Sequence, residues 1–249
     1  MKTVLITGCS SGFGLEIARH FLERQWRVVA TMRTPREGLL PQSEQLRVLP
    51  LDVTDPQSIH QAVADAGPID VLVNNAGIGL LNSLEGTPMA TIRDILETNT
   101  MGTIAMTQAV IPQFRQRRSG VVVNVTSTVT YRPLPLLAAY TASKAAVNAF
   151  TESLALELKP FNVRVALVLP GRAPETRFVE NAQPHRLNVH EAYNDLAQSI
   201  FTHWENTDEP ITLSTDVAQA VWRAATEPSC PMRLPAGADA VIWAQSAQS

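Results

Sequence analysis

Cysteine, lysine and tyrosine are scarce in this 249-residue chain, with two, three and three copies respectively. Cys9 and Cys230 make neither a disulfide framework nor a metal-ligand spacing, so a reducing, cytoplasmic setting is expected. Five scattered histidines add no metal motif, and no metal is expected. No basic block is present and the net charge is −3, which argues against nucleic acid as a partner. No cationic amphipathic stretch suggests a membrane surface. The opening "MKTVLITG" has too short an apolar run for a signal peptide, and no stretch of about 18 apolar residues offers a membrane span. Internal repeats and low-complexity tracts are also missing.

What is present is an alternation of short apolar runs with helical patterns. Strands are expected at 2–7, 27–32, 46–53, 69–77, 120–127 and 163–170, with "AVIWA" (240–244) as a last one. Helical periodicity covers 13–25, where Leu15, Ala18, Phe21 and Leu22 share a face, and 56–66, which begins with proline. Further helices are expected over 88–118 with a break near Asn99 to Gly102, over about 138–159, and over 214–227 with Ser214 as N-cap. Strand–helix alternation with continuous apolar strands implies an α/β fold, a doubly wound parallel sheet with helices on both faces. A length of 249 residues suits one such domain. Ligands of these sheets bind outside the carboxyl ends of the strands, so residues just after each strand matter most.

The first such turn, "TGCSSGFG", carries Gly8, Gly12 and Gly14. Its spacing is G-x-x-x-G-x-G rather than G-x-G-x-x-G, but the physics is shared. The chain turns tightly, offers backbone N–H groups and feeds a helix N-terminus that attracts phosphate. An acid about 20 residues on holds the ribose 2′-OH in NAD-binding domains. Here the second strand ends in Met32, Arg33 and Thr34. A carboxylate would repel a 2′-phosphate and Arg33 could pair with it, so NADP(H) is expected over NAD(H). Asp52, after the third strand, could accept from an adenine amino group with Val53 against the ring, or could simply form a turn.

Two of the scarce residues stand four apart in "AAYTASKAAV". Tyr140 and Lys144 share a helical face. A phenol with a pKa of about 10 must become more acidic to exchange a proton near neutrality, and a neighbouring ammonium favours its phenolate. The small apolar surroundings make an idle exposed pair a poor explanation for the lysine. Thirteen residues earlier, Ser127 ends the fifth strand, where a hydroxyl can donate to a carbonyl oxygen.

Taken in order, "TGCSSGFG", "NNAG" (74–77), Asn99, "NVTS" (124–127) and "YTASK" (140–144) resemble the short-chain dehydrogenase/reductase family over essentially the whole chain. Details of "TGCSSGFG" and "VVATMR" look nearest to the branch holding 17β-hydroxysteroid and retinol dehydrogenases. The resemblance implies a Rossmann-type sheet of about seven strands in one domain, residues 1–249, and nicotinamide-dependent oxidoreduction. It assigns Tyr140 as general acid/base, Lys144 as its activator and a ribose ligand, Ser127 as the group polarising the carbonyl, and Asn99 as the holder of a relay water. Cofactor contacts are implied at Gly8, Ser10, Ser11, Gly12, Phe13, Gly14, Arg33, Asp52, Val53, Asn74, Ala76, Gly77, Tyr140, Lys144, Pro170, Gly171, Ala173 and Thr176. One departure is "PGRAPET", in which Thr176 comes one residue later than in the family's P-G-x-x-x-T. Ser11 also offers only a hydroxyl where many NADP-dependent members carry a base.

The family places its substrate lid at about 172–212, a segment of poor periodicity that mixes Phe178, Tyr193, Phe201 and Trp204 with His185, His190 and His203. With the loop "TVTYRPLPLLAAY" and the wall Gly79 to Leu81, these residues favour a hydrophobic ketone, aldehyde or alcohol. Two other functions compete. A cofactor-sensing regulator without turnover would be expected to lack Tyr140, Lys144 or Ser127, and this chain keeps all three. An epimerase or dehydratase of the family's extended branch would be longer, with a separate substrate domain. Family members are usually dimers or tetramers, often through helices matching about 100–118 and 138–159.

Overall fold

The structure, a computed structural model, describes residues 1–176 and 190–247. Runs of Val, Ile and Leu form strands because branched side chains pack well on a pleated surface. They are β1 (Thr3–Ile6), β2 (Arg27–Met32), β3 (Leu46–Pro50), β4 (Val71–Asn74), β5 (Gly120–Val125), β6 (Val163–Pro170) and β7 (Arg233–Ala236). Among the described residues these seven make one parallel sheet in the order β3-β2-β1-β4-β5-β6-β7. The order reverses between β1 and β4, so the glycine turn and the loop after β4 lie side by side at the switch point.

Side chains alternate across the sheet. Val4, Ile6, Val71, Val73, Val121 and Val123 face α1 (Gly12–Glu23) and a later helix at Ser214–Thr226. Leu5, Leu72, Val122, Val163 and Val165 face α2 (Pro56–Ala66), α4 (Gly102–Arg117) and α5 (Ala138–Leu158). The strands β1, β2, β4, β5 and β6 are therefore buried on both faces, as their unbroken apolar runs required, whereas the edge strands β3 and β7 are only partly covered.

The helix predicted over 88–118 is not interrupted. It runs as α3 (Met89–Leu96), one π-turn at Glu97–Met101 and α4. Gly102 follows the π-turn, and a Cβ there would stand 2.8 Å from Cγ2 of Val53, so glycine lets the helix lie this close to the loop after β3. Two end assignments change. The segment 240–244 is not a strand; it lies inside a helix at Ala238–Ser246, built on good helix formers, and the last strand is the preceding "RLPA". Ser214 is the first helical residue rather than the cap, and Asp216 accepts the Leu213 N–H at 2.9 Å.

β7 is an edge strand carrying Pro235. Leu167 N–H donates to Met232 O, so the period of two turns residue 234 toward β6 and residue 235 outward. Proline is tolerated there because its missing N–H had no partner to lose.

Within the expected lid, the described part holds α6 (Asn194–Asn206). Its Ala197, Ile200, Phe201 and Trp204 recur at helical spacing and pack on Leu80, Leu81, Ile95, Val129, Leu136 and Leu137. The helices at 214–226 and 238–246 are α7 and α8.

Candidate active site

The glycine turn is shaped by close backbone approach. Gly8 has φ +76°, and a Cβ on it would stand 2.9 Å from the Ala76 Cα. A Cβ on Gly14 would stand 2.3 Å from the Gly8 carbonyl oxygen. Thr7 and Asn75, which the sequence reading passed over, lock this turn to the loop after β4. The Thr7 hydroxyl accepts the N–H groups of Asn75 and Ala76 at 3.0 and 2.9 Å, and Asn75 Nδ2 donates to the carbonyls of Thr7 and Gly8. Ser11 caps α1 without a side-chain hydrogen bond, so it does not claim the first N–H groups of the helix. A helix start with free donors, beside glycines that leave no side chain in the way, fits the pyrophosphate of a dinucleotide. Ser10 and Phe13 lie in this same turn, and Cys9 is buried beneath it with its thiol pushed up to about 12 by burial.

At the adenosine side, Arg33 follows β2 and is exposed. Arg36, unnoticed in the sequence, reaches back to donate to the Ser10 carbonyl at 3.3 Å. Asp52 Oδ1 accepts from both the N–H and the hydroxyl of Thr54, at 2.9 and 2.8 Å, so its carboxylate forms a turn. The Thr54 N–H is the main cause holding its pKa below the usual range, with the Arg33 charge a lesser one. Val53 is buried beneath Gly102. Asn74 supports the sheet rather than the turn: its Nδ2 donates to Thr107 Oγ1 and Asn124 Oδ1 at 2.9 and 2.8 Å.

Tyr140, Lys144 and Ser127 come together at the carboxyl ends of β4 and β5. The Tyr140 and Ser127 hydroxyls are hydrogen-bonded. Ser127 also caps the short helical turn Thr128–Thr130 through the Val129 N–H. Lys144 Nζ lies 5.9 Å from the Tyr140 ring centre and donates to the Val125 carbonyl at 3.1 Å. All three side chains are buried. Burial pushes the phenol up to about 12, partly offset by the Ser127 bond, and pulls the ammonium down to about 8. In the free protein, desolvation therefore outweighs the acidifying influence expected of Lys144.

Asn99 sits in the π-turn, 1% exposed. Its Oδ1 accepts the Ile78 N–H at 2.8 Å, and its Nδ2 donates to Ile78 O and Ser143 Oγ at 3.0 and 3.1 Å. Its side chain thus ties the loop after β4 to α5, between Tyr140 and Lys144. Gly77 is hemmed in by the same groups, since a Cβ there would meet Asn99 Oδ1 at 3.1 Å and Lys144 Nζ at 3.4 Å.

Pro170 closes β6, and the turn beyond it returns to the glycine loop. Thr176 donates through its hydroxyl to Ala173 O at 2.8 Å, and its Cβ lies 3.5 Å from where a Cβ of Gly12 would be. The one-residue shift in "PGRAPET" therefore still brings Thr176 beside the glycine turn. On the substrate side, Tyr140 belongs to the apolar cluster formed with α6. Phe201 and Trp204 join that cluster, whereas Tyr193 faces outward and donates to Glu85 at 3.0 Å. His190 caps a short turn and His203 is exposed, while Phe178 and His185 lie outside the described residues.

A glycine turn at the switch point of a parallel sheet, facing a buried Ser–Tyr–Lys group, is a Rossmann-type arrangement. The chain belongs to the short chain dehydrogenase family, whose model matches residues 2–187. It is 40% identical over 182 residues to retinol dehydrogenase 8 of Bos taurus, covering 68% of this chain and 58% of that protein. It is 36% identical over 218 residues to estradiol 17-beta-dehydrogenase 1 of Rattus norvegicus, covering 81% of this chain and 62% of that one. The chain thus matches less than two thirds of the length of these relatives. Among solved structures, a serine dehydrogenase complexed with NADP+ superposes with TM-score 0.80 at 29% identity, covering 94% of each chain. A 3-ketoacyl-(acyl-carrier-protein) reductase from Brucella melitensis complexed with NADH gives TM-score 0.78 at 27% identity, covering 94% of this chain and 96% of that one.

Proposed function

We propose that the protein is a single-domain, NADP(H)-preferring oxidoreductase that interconverts an apolar ketone or aldehyde with the corresponding alcohol. The observation that carries this reading is the hydrogen-bonded Ser127–Tyr140 pair with the Lys144 amino group beside the Tyr140 ring, buried next to the glycine turn. The residues that would hold the cofactor are Gly8 to Gly14 at the pyrophosphate, Arg33 with Arg36 at the adenosine end, and Lys144 with the turn Gly171 to Thr176 at the other end. When bound, NADP(H) supplies or accepts the hydride.

The chain's own groups manage the oxygen and its proton. Ser127 donates to the substrate oxygen and steadies its developing negative charge. Tyr140 delivers the proton to that oxygen in reduction and removes it in oxidation. Lys144 makes the phenolate less costly, and Asn99 fixes the helix that carries both. Leu80, Leu81, Val129, Leu137 and the α6 residues make an apolar wall that keeps water away and favours hydrocarbon next to the carbonyl.

Two guanidinium groups at the adenosine end, with no acid at Arg33 or Thr34 where β2 ends, support NADP(H) over NAD(H). No described helix is long and apolar enough to cross a membrane. The free, unbridged cysteines are in keeping with a reducing cytoplasmic setting. We expect a homodimer or homotetramer joined through α4 and α5, whose outer surface carries the exposed Leu156.

The direct test is NADPH consumption with a panel of apolar and charged carbonyls. Tyr140→Phe is expected to lower kcat by about 10²–10⁴-fold, the usual worth of a positioned acid or base. NADPH binding should stay within about threefold of wild type. Undiminished turnover in this variant would remove the proposed role of Tyr140.

A further inference from the structure

The turn after β6 and the far end of the lid segment converge on one buried carboxylate. Asp239, in the first turn of α8, is 3% exposed. Its Oδ2 accepts the Arg172 N–H at 2.6 Å and its Oδ1 accepts the Thr212 hydroxyl at 2.7 Å. That hydroxyl, fully buried, also accepts the Gly171 N–H at 2.9 Å and lies 2.9 Å from Ala236 O. The Thr212 N–H donates to Arg172 O at 2.8 Å. The Arg172 guanidinium reaches across to the Trp204 and Glu209 carbonyls at 2.9 and 3.4 Å.

The space around this clasp is fully used. A Cβ on Gly171 would stand 2.1 Å from Asp239 Oδ2. One on Gly237, at φ +104°, would stand 2.1 Å from Thr212 Oγ1. Glycine is needed at both positions to admit these oxygens. Burying a carboxylate is costly, and the bonds found here come from one backbone N–H and one hydroxyl. Directly at Arg172, and through the Thr212 hydroxyl at Gly171, they hold the two residues that begin the turn ending at Thr176, beside Gly12. They also fall on the residue whose side chain holds the end of α6.

We propose that Asp239 is a positioning residue for NADP(H) binding: through Arg172 and Thr212 it fixes the Gly171–Ala173 backbone against the cofactor and ties that backbone to the base of the lid. The proposal rests on the functional reading above, and direct NADPH binding separates the two. NADPH affinity is measured by fluorescence for wild type, Asp239→Asn, Thr212→Val and Thr212→Ser, with melting temperature and kcat at saturating NADPH taken on the same samples. Each of the first two variants should weaken NADPH about tenfold or more, the scale of a lost hydrogen bond to a charged group. Their kcat should stay within about threefold of wild type, because Asp239 does not touch the Ser–Tyr–Lys group. Thr212→Ser, which keeps the hydroxyl, should retain wild-type affinity. If Asp239→Asn does not fold, Thr212→Val against Thr212→Ser decides. A lower melting temperature with unchanged NADPH affinity marks a merely structural tie and overturns the proposal. Wild type that binds NADPH but reduces no carbonyl overturns the functional reading and leaves the clasp to be judged by binding. Wild type with no NADPH affinity overturns both.

Discussion

Lys144 is charged below about pH 8 and loses its proton above it, because burial disfavours the ammonium. The second-order constant kcat/KM for NADPH, which reports the free enzyme, should therefore be level up to about pH 8 and fall beyond it. A rate profile from pH 6 to 10 checks this, and a flat alkaline limb would contradict it. The same shift has a stability sign. Between about 8 and the unfolded value of 10.5 the unfolded chain holds a proton that the folded chain lacks, so Lys144 makes stability rise with pH across that window. At the adenosine end, Arg33→Asp should reverse the preference from NADPH to NADH, measured as the ratio of dissociation constants. An unchanged ratio would assign the 2′-phosphate to another residue, with Arg36 next in line. The paired Tyr140 and Lys144 were legible because both types are rare and their spacing is helical. Arg36 and Asp239 were not, since an exposed arginine and a single acid near the chain end look ordinary until tertiary contacts bring them to the turns they hold.

Helix α2 shows how an element's start is written locally. Asp55 caps it, accepting the Gln57 N–H at 2.9 Å, and Pro56 follows where no N–H is needed. Asp55→Ala should cost about 1 kcal/mol and lower Tm by about 2–4 °C with kcat unchanged, read by thermal melting and a standard rate assay. Six strands and the long helices were readable in the same way, from unbroken apolar runs and helical spacing. The π-turn was visible only as a disturbance near Asn99, because the contact of Gly102 with the distant Val53 is not written in the local sequence. The sequence of α6 does carry helical spacing at Ala197, Ile200, Phe201 and Trp204, but its aromatic and histidine content drew the eye to a loop. The last strand was misplaced because "AVIWA" has β-branched residues, while the true strand is a short proline-bearing edge that only pairing with β6 reveals.

Across the molecule, the face of the sheet away from α4 and α5 ends in an aromatic group: Phe21, Trp26 and Trp222, with His20 against Trp222. His20 is buried with no partner for Nε2 among the described residues, and burial followed by the nearby Arg24 charge lowers its pKa. The unfolded chain takes up a proton near pH 6.5 that the folded chain resists, so stability should fall as pH drops through that value. Urea midpoints at pH 7.5 and 5.5 should differ more for wild type than for His20→Leu, and equal differences would dismiss the histidine as the cause. At the opposite end of the sheet, Pro235 has a wider consequence. Facing outward, β7 offers the N–H of Arg233 and then none at the next outward position. A foreign strand arriving there finds an incomplete ladder, so this edge of the sheet resists extension into fibrils or swapped strands.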